Sequence, residues 1–244
     1  MFFFKRSKIV VDCFTTRPAI NDLFPIEKSS KFYPQWWKDL PKTYDRKNDW
    51  GLSIQLATLK GCVGFTNLYT HGFMIPLWAD LLIETTEDRW LYEFSAASKV
   101  ESHDEEQLGS MGKVYHHMKL VSPWIISEKS GVNFIWTNAF YNQIDRLNDY
   151  HILPGMIEYK YNFGSNINLF LPKTNNRMLL EAGTPMVHFI PMTDKDVEVK
   201  THVVSEEEYR KLETPLYTSK FIKKYYTNKK IMQSKEGKCP FGKS

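Results

Sequence analysis

Apolar and polar residues alternate along most of this chain with the two-residue period of a β-strand, and stretches with a helical period are short. Residues 9–14 form an apolar run that predicts a first strand. Leu52, Ile54 and Leu56 alternate with Ser53, Gln55 and Ala57, which predicts a half-buried strand over 52–59. Residues 73–84 give the longest strand candidate, with Phe73, Ile75, Leu77, Ala79, Leu81 and Ile83 on one face. A turn at 85–88 returns the chain through Trp90, Tyr92 and Phe94, so a β-hairpin is expected. Further strands are expected at 114–121, 124–127 and 132–137, the last two joined by a turn at 128–131, and at 197–204.

The stretch 152–191 organises this pattern. Three apolar runs, 156–161, 167–171 and 178–190, are separated by clusters rich in residues that accept turn dihedrals, and they read as a β-meander. The third run is broken at Ala182, Gly183, Thr184 and Pro185, where a bulge or a change of sheet is expected. Helices are short: Pro34 and Pro41 bound one that carries Trp36 and Trp37, and 65–71 forms another, which Gly72 can close in the left-handed conformation. Ser205 and Glu208 fit a capping box opening a helix to about Leu212, and Pro215 separates it from a helical stretch over 219–232. The polar, acidic segment 99–112 reads as a surface loop. Nine or more short strands predict a mainly β fold, a jelly-roll or double-stranded β-helix-like sandwich with short helices and a basic C-terminal helical tail. The expected division is one sandwich domain over 1–217, including its Trp-rich N-terminal segment, and a tail over 218–244.

Composition refines this picture. The 244 residues are 42% hydrophobic and 15% aromatic, enough for a sizeable core. The net charge of +4 is unevenly placed: from residue 218 onward eight lysines face one glutamate, net +7, which leaves −3 on the rest. Cys13, Cys62 and Cys239 are an odd number without a paired spacing, so neither a disulfide framework nor a zinc ribbon is encoded, and a reducing compartment is expected. No apolar run approaches the roughly 18–20 residues of a membrane span, so no membrane contact is expected.

The chemistry-bearing candidates are few. His103 and Glu105 with a distant His188 have the sequence form of the facial triad that holds non-haem iron. The ordinary alternatives are a solvated acidic loop for the first two and a hydrogen-bonded core histidine for the third. His116 and His117 are strand neighbours and face opposite sides. Cys62, between Gly61 and Gly64, reads as a small buried thiol. Trp36 and Trp37 either cap an open end of the core or offer an aromatic platform to a partner. Lys220, Lys223, Lys224, Lys229 and Lys230 are candidate contacts to a partner or to nucleic-acid phosphates.

Several segments together resemble a family of uncharacterised proteins from T4-like tailed bacteriophages of marine bacteria, with bacterial relatives. They are Ser30 to Pro41, Thr58 to Cys62, Gly72 to Leu81, Ser122 to Ile126, Leu153 to Glu158 and Ala182 to Pro191, in collinear order over about 30–212. The resemblance implies a phage setting and supplies no catalytic residues. Where the family pattern has Val-Ala-Gln or Val-Cys-Gln after Gly-Thr-Pro, this chain has Met186, Val187 and His188.

Three functional readings follow. The first is a non-enzymatic β-sandwich protein acting in virion structure or assembly, without cofactor, through contacts with other phage proteins or with itself. Its place would be the host cytoplasm during infection and the virion. The second is a non-haem iron, 2-oxoglutarate-type oxygenase in which His103, Glu105 and His188 converge. The third is a nucleic-acid-binding accessory protein that uses the lysine tail.

Overall fold

A computed structural model of the chain describes residues 8–95, 98–161, 164–218 and 229–230. It is mainly β, with several largely antiparallel sheets and few, short helices. The first half runs β1 (Ile9–Thr15), α1 (Pro18–Leu23), β2 (Glu27–Lys28), α2 (Gln35–Asp39), β3 (Thr43–Lys47), β4 (Ser53–Ala57), α3 (Val63–His71), β5 (Phe73–Pro76), β6 (Leu81–Thr85), β7 (Trp90–Phe94) and β8 (Val100–Glu101). The second runs α4 (Glu105–Leu108), β9 (Tyr115–Leu120), β10 (Ile125–Glu128), β11 (Asn133–Asn138), β12 (His151–Ile152), β13 (Gly155–Glu158), β14 (Ile167–Pro172), β15 (Asn176–Leu180), β16 (Pro185–Pro191), β17 (Val197–Val203) and α5 (Glu206–Thr218).

Five sheets result. Their orders are β10-β1-β17, β13-β11-β16-β5-β2, β12-β14-β9-β8, β15-β6-β7 and the isolated pair β3-β4. Val11, Ile75, Leu81, Met118, Leu169 and Phe189, drawn from the first four sheets, belong to one buried core. Each such side chain contributes about 1.5–3 kcal/mol by leaving water.

The expected meander does not form. β13 pairs with β11, β14 with β12 and β9, β15 with β6, and β16 with β11 and β5, so none of these four pairs with its neighbour in sequence. Turn chemistry marks where a strand ends. The partner is set by the face that must be buried. The turn over 128–131 shows the same separation. Glu128, itself buried, accepts the backbone N–H groups of Ser130 (2.5 Å), Gly131 (2.7 Å) and Val132 (3.0 Å), and Gly131 takes a positive φ of 83°. Yet β10 pairs with β1, while β11 joins β13 and β16.

The long strand expected over 73–84 is two strands in different sheets, β5 and β6. Residues 77–80 between them step from one sheet to the other, with Leu77 and Trp78 buried. The β6–β7 hairpin forms in the register Leu81 with Phe94 through Thr85 with Trp90. At the Gly-Thr-Pro break, β16 both changes sheet relative to β15 and slips register between Pro185 and Val187. The Ser205 box is present: Glu208 N–H donates to Ser205 Oγ (3.3 Å) and Ser205 N–H to Glu208 Oε2 (3.0 Å). The helix it opens continues through Pro215 to Thr218, past its expected end at about Leu212 and without the expected break at Pro215. Within the acidic loop, Asp104 and Gln107 cap α4 reciprocally.

Candidate interaction site

The outer face of the five-stranded sheet carries a second apolar cluster. Met74 and His188 lie opposite each other in the β5–β16 register on this face, and Phe73 and Phe189 lie opposite each other on the core face. α3 supplies Phe65 and Tyr69, both buried, and Phe32, Tyr33, Trp36, Trp37, Leu68 and Tyr141 pack around them. Tyr33 stacks on Trp37 with centroids 4.4 Å apart, Trp37 on Phe65 at 5.4 Å, and Phe65 on Tyr69 at 4.9 Å. Trp36 Nε1 donates to the carbonyl of Tyr141 at 2.9 Å. The two tryptophans are therefore engaged within their own chain, half-buried, as a wall of this cluster.

Gly72 ends α3 in extended backbone, φ −102°, and not in the left-handed conformation the sequence pattern implied. Its requirement for glycine has another cause: a Cβ there would lie 2.1 Å from His188 Nε2 and 3.0 Å from Ser29 Oγ. Those two atoms are buried and lack a hydrogen-bond partner, while the His188 ring bonds to the backbone of Leu68. Burial pushes the His188 pKa down to about 4, so the ring is neutral at pH 7.

The aromatic wall holds the base of the β3–β4 hairpin. Lys60, just beyond β4, donates from Nζ to the carbonyls of Lys38 (2.7 Å) and Leu40 (3.0 Å), satisfying acceptors at the end of α2. The same ammonium lies 5.3 Å from the centroid of Trp37, a cation–π contact. Thr58 accepts from Lys60 N–H at 3.2 Å and sends its own N–H to the carbonyl of Lys42 at 3.0 Å. At the tip, the Asn48 side chain accepts from Trp50 N–H (3.1 Å) and Leu52 N–H (2.8 Å), and Gly51 takes φ 74°.

Between clamped base and knotted tip, the strands are solvent-facing. The alternation over 52–59 predicts a half-buried strand, but Leu52 is 66% and Ile54 39% exposed, and Trp50 at the tip is 86% exposed. The register, Tyr44 with Leu56 and Arg46 with Ile54, puts Tyr44, Ile54 and Leu56 on one face. No other strand among the described residues pairs with either member of the hairpin, and Tyr44 and Ile54 on this face are exposed. Sequence reasoning missed β3, whose residues Thr43, Tyr44, Asp45, Arg46 and Lys47 lack apolar alternation. The turn residues Asn48, Asp49 and Gly51 next to the Leu52 alternation are the signal that marks this hairpin.

The iron candidates do not come together. His103 stacks on His117 at 4.6 Å and faces Gln107. Glu105 pairs with Lys173 at 3.0 Å, and His188 lies under α3 beside Tyr69. Among the described residues no group of three or more His, Cys, Asp or Glu stands close enough to hold a metal, so these three residues do not fit a facial triad. His117 Nδ1 accepts the N–H of His103 at 3.0 Å, which leaves its Nε2 to donate to Asn168 Oδ1 at 3.1 Å. Burial lowers its pKa, consistent with this neutral form. His116, on the opposite side of β9, bonds instead to the carbonyl of Thr86 at 2.9 Å.

Cys62 is exposed and free, not a buried thiol, whereas Cys13 is buried, and burial with the nearby Asp12 carboxylate pushes its thiol pKa up. Lys229 pairs with Glu158 and lies 5.2 Å from the Tyr161 centroid, so it is engaged by the body of the chain, and Lys230 belongs to the same short helical segment. Lys220, Lys223 and Lys224 lie outside the described residues, as does most of the expected tail. No described helix is long and apolar enough to cross a membrane. Compared with family models and with curated protein sequences, the chain matches none.

Proposed function

We propose that this chain is a non-enzymatic β-sandwich of the jelly-roll kind that acts in virion structure or assembly through protein–protein contacts. The observation that carries the reading is the β3–β4 hairpin, clamped at its base by Lys60 and Thr58 while Tyr44, Trp50, Leu52 and Ile54 face solvent. A rigid element that presents an unpaired apolar row is suited to docking, because little ordering entropy is lost on contact. The sandwich arrangement is supported by the way consecutive strands step between sheets around a common core. The phage setting, in the host cytoplasm and then the particle, rests on the resemblance of the segments within 30–212 to the T4-like phage family.

Quantitative mass spectrometry of particles purified after infection by the phage that encodes the sequence tests this reading. Incorporation at a fixed copy number is expected in wild type, with at least a tenfold reduction for the Trp50→Ser, Leu52→Ser double variant. Absence of the chain from mature particles and from assembly intermediates, or stoichiometric iron with substrate turnover in the purified protein, overturns it.

A further inference from the structure

Neither outer edge of the hairpin pairs with another strand among the described residues, and the two edges differ in chemistry. β3 carries Asp45, Arg46 and Lys47, charges of the sort that guard an edge strand against pairing with another chain. β4, from Ser53 through Ile54, Gln55 and Leu56 to Ala57, carries no charge, no proline and no bulge.

The hydrogen bonds at the two ends of the hairpin fix which backbone groups of β4 are unused. Asn48 N–H donates to the carbonyl of Leu52 at 2.9 Å, and Thr58 N–H to that of Lys42 at 3.0 Å. With the register between them, residues 52, 54, 56 and 58 turn their backbone groups toward β3, and Ser53, Gln55 and Ala57 turn theirs outward to the free edge. All three of these residues are exposed.

We infer that the free edge of β4 pairs antiparallel with β4 of a second copy of this chain, in a register centred on Gln55. This rests on the contact reading above and names the partner. The segment is self-complementary about that centre. Gln55 faces Gln55 of the second copy, Ser53 faces Ala57, and the outward N–H and C=O groups of all three meet in hydrogen-bonded pairs. Between them Ile54 falls opposite Leu56 of the second copy, and Leu56 opposite Ile54, at the closely spaced positions where side chains touch most. The product is a four-stranded sheet with both apolar rows on one face. That converts an isolated two-stranded ribbon, marginal by itself in water, into a sheet of independently stable size.

The test is the solution mass of the full chain by sedimentation and light scattering, with charge exchange at the two-fold centre. Wild type is expected at the mass of two chains. Gln55→Lys and Gln55→Glu place like charges opposite each other, and each is expected at the mass of one chain. An equimolar mixture of the two is expected to return to two, because Lys then faces Glu. Urea midpoints of the dissociated variants, compared at one chain concentration, control for folding.

Amide exchange gives a second readout. The Ser53, Gln55 and Ala57 amides should exchange at least tenfold faster in Gln55→Lys than in wild type, whereas those of Ile54 and Leu56 should be unchanged. A one-chain mass for wild type at all concentrations up to about 100 µM, or a Gln55→Lys variant that associates as wild type does, overturns the β4 pairing. Wild type that self-associates with no response to Gln55→Lys overturns the pairing alone and leaves the contact reading standing. Dissociation and rescue as described, in a chain absent from particles, does the reverse.

Discussion

Leu52, just before β4, with Ile54 inside it, and Leu81 with Ile83 in β6, are the same two residues at the same spacing, and each set belongs to an antiparallel hairpin whose strands are of the same length. The second pair has no exposed surface, whereas the first is 66% and 39% exposed. The difference lies in what each hairpin has on its other sides. β6 has β15 along its second edge and the common core against one face. β4 has neither. Alternation specifies an amphipathic strand, and burial follows only when a third strand and a facing layer exist.

The sharpest way to test this contrast is truncation on both sides of it. Ile83→Ala is expected to cost about 4 kcal/mol in urea denaturation, because it leaves a cavity in a core that cannot collapse. Ile54→Ala is the smallest effect in the series. The isolated chain should lose no more than about 0.5 kcal/mol, as at exposed sites generally, while self-association is strongly weakened. Equal losses at the two positions would mean that the hairpin is packed against the body after all.

Between these extremes lie three perturbations of the platform that holds the hairpin. Gly72→Ala drives a methyl group into the His188 ring, and a loss of about 3 kcal/mol is expected from overpacking, again by urea denaturation. Next is pH. His188 is pushed from its ordinary value down to about 4 by burial, and burial lowers His117 too. Above about pH 6.5 the histidines are neutral in both folded and unfolded chains, and their contribution to stability is complete. As pH falls, the unfolded chain takes up protons that the folded one cannot. Stability is lost until the folded His188 titrates near 4. From pH 7 to pH 5 the loss assigned to His188 is about 2 kcal/mol, and His188→Gln should flatten the stability profile over that range. Lys60→Met follows, at about 1 kcal/mol for the lost capping bonds and cation–π contact. Its diagnostic is faster amide exchange throughout residues 43–57 with β6 unaffected.

Local features of the fold were legible to different depths. β1, β17, the β6–β7 hairpin, the α2 turn with its tryptophans and the Ser205 box follow from short-range patterns, and they appear where those patterns place them. The sheet change before β16 and the register slip at its start could be read because Gly183 and Pro185 leave few other options. Pairing partners could not be read. Ile157, Leu169, Met178 and Phe189 sit in consecutive strands, yet each strand finds its neighbour elsewhere, since burial of a shared face outweighs a short turn. At the site, the alternation of Leu52, Ile54 and Leu56 was visible and its exposure was not, because exposure depends on what lies beside the strand, and no further strand among the described residues does. The His103 and Glu105 spacing was equally visible. Whether His188 could reach it depended on which face of β16 the ring occupies, and α3 covers that face.

The parallel pairing of β1 with β17 has a consequence for the order in which the molecule is made. Ile9 to Thr15 lie beside Val197 to Val203, and their other neighbour is Ile125–Glu128. During synthesis β1 therefore leaves the ribosome before either of its partner strands exists. Until residues 125–128 and then 197–203 have been made, neither edge of β1 has its partner. Its buried Val11 and Cys13 are exposed throughout that interval. Closure of so long a loop comes late and slowly. The nascent chain is thus most in need of chaperone cover at β1, and the sheet that holds it closes only once the distant β17 is available.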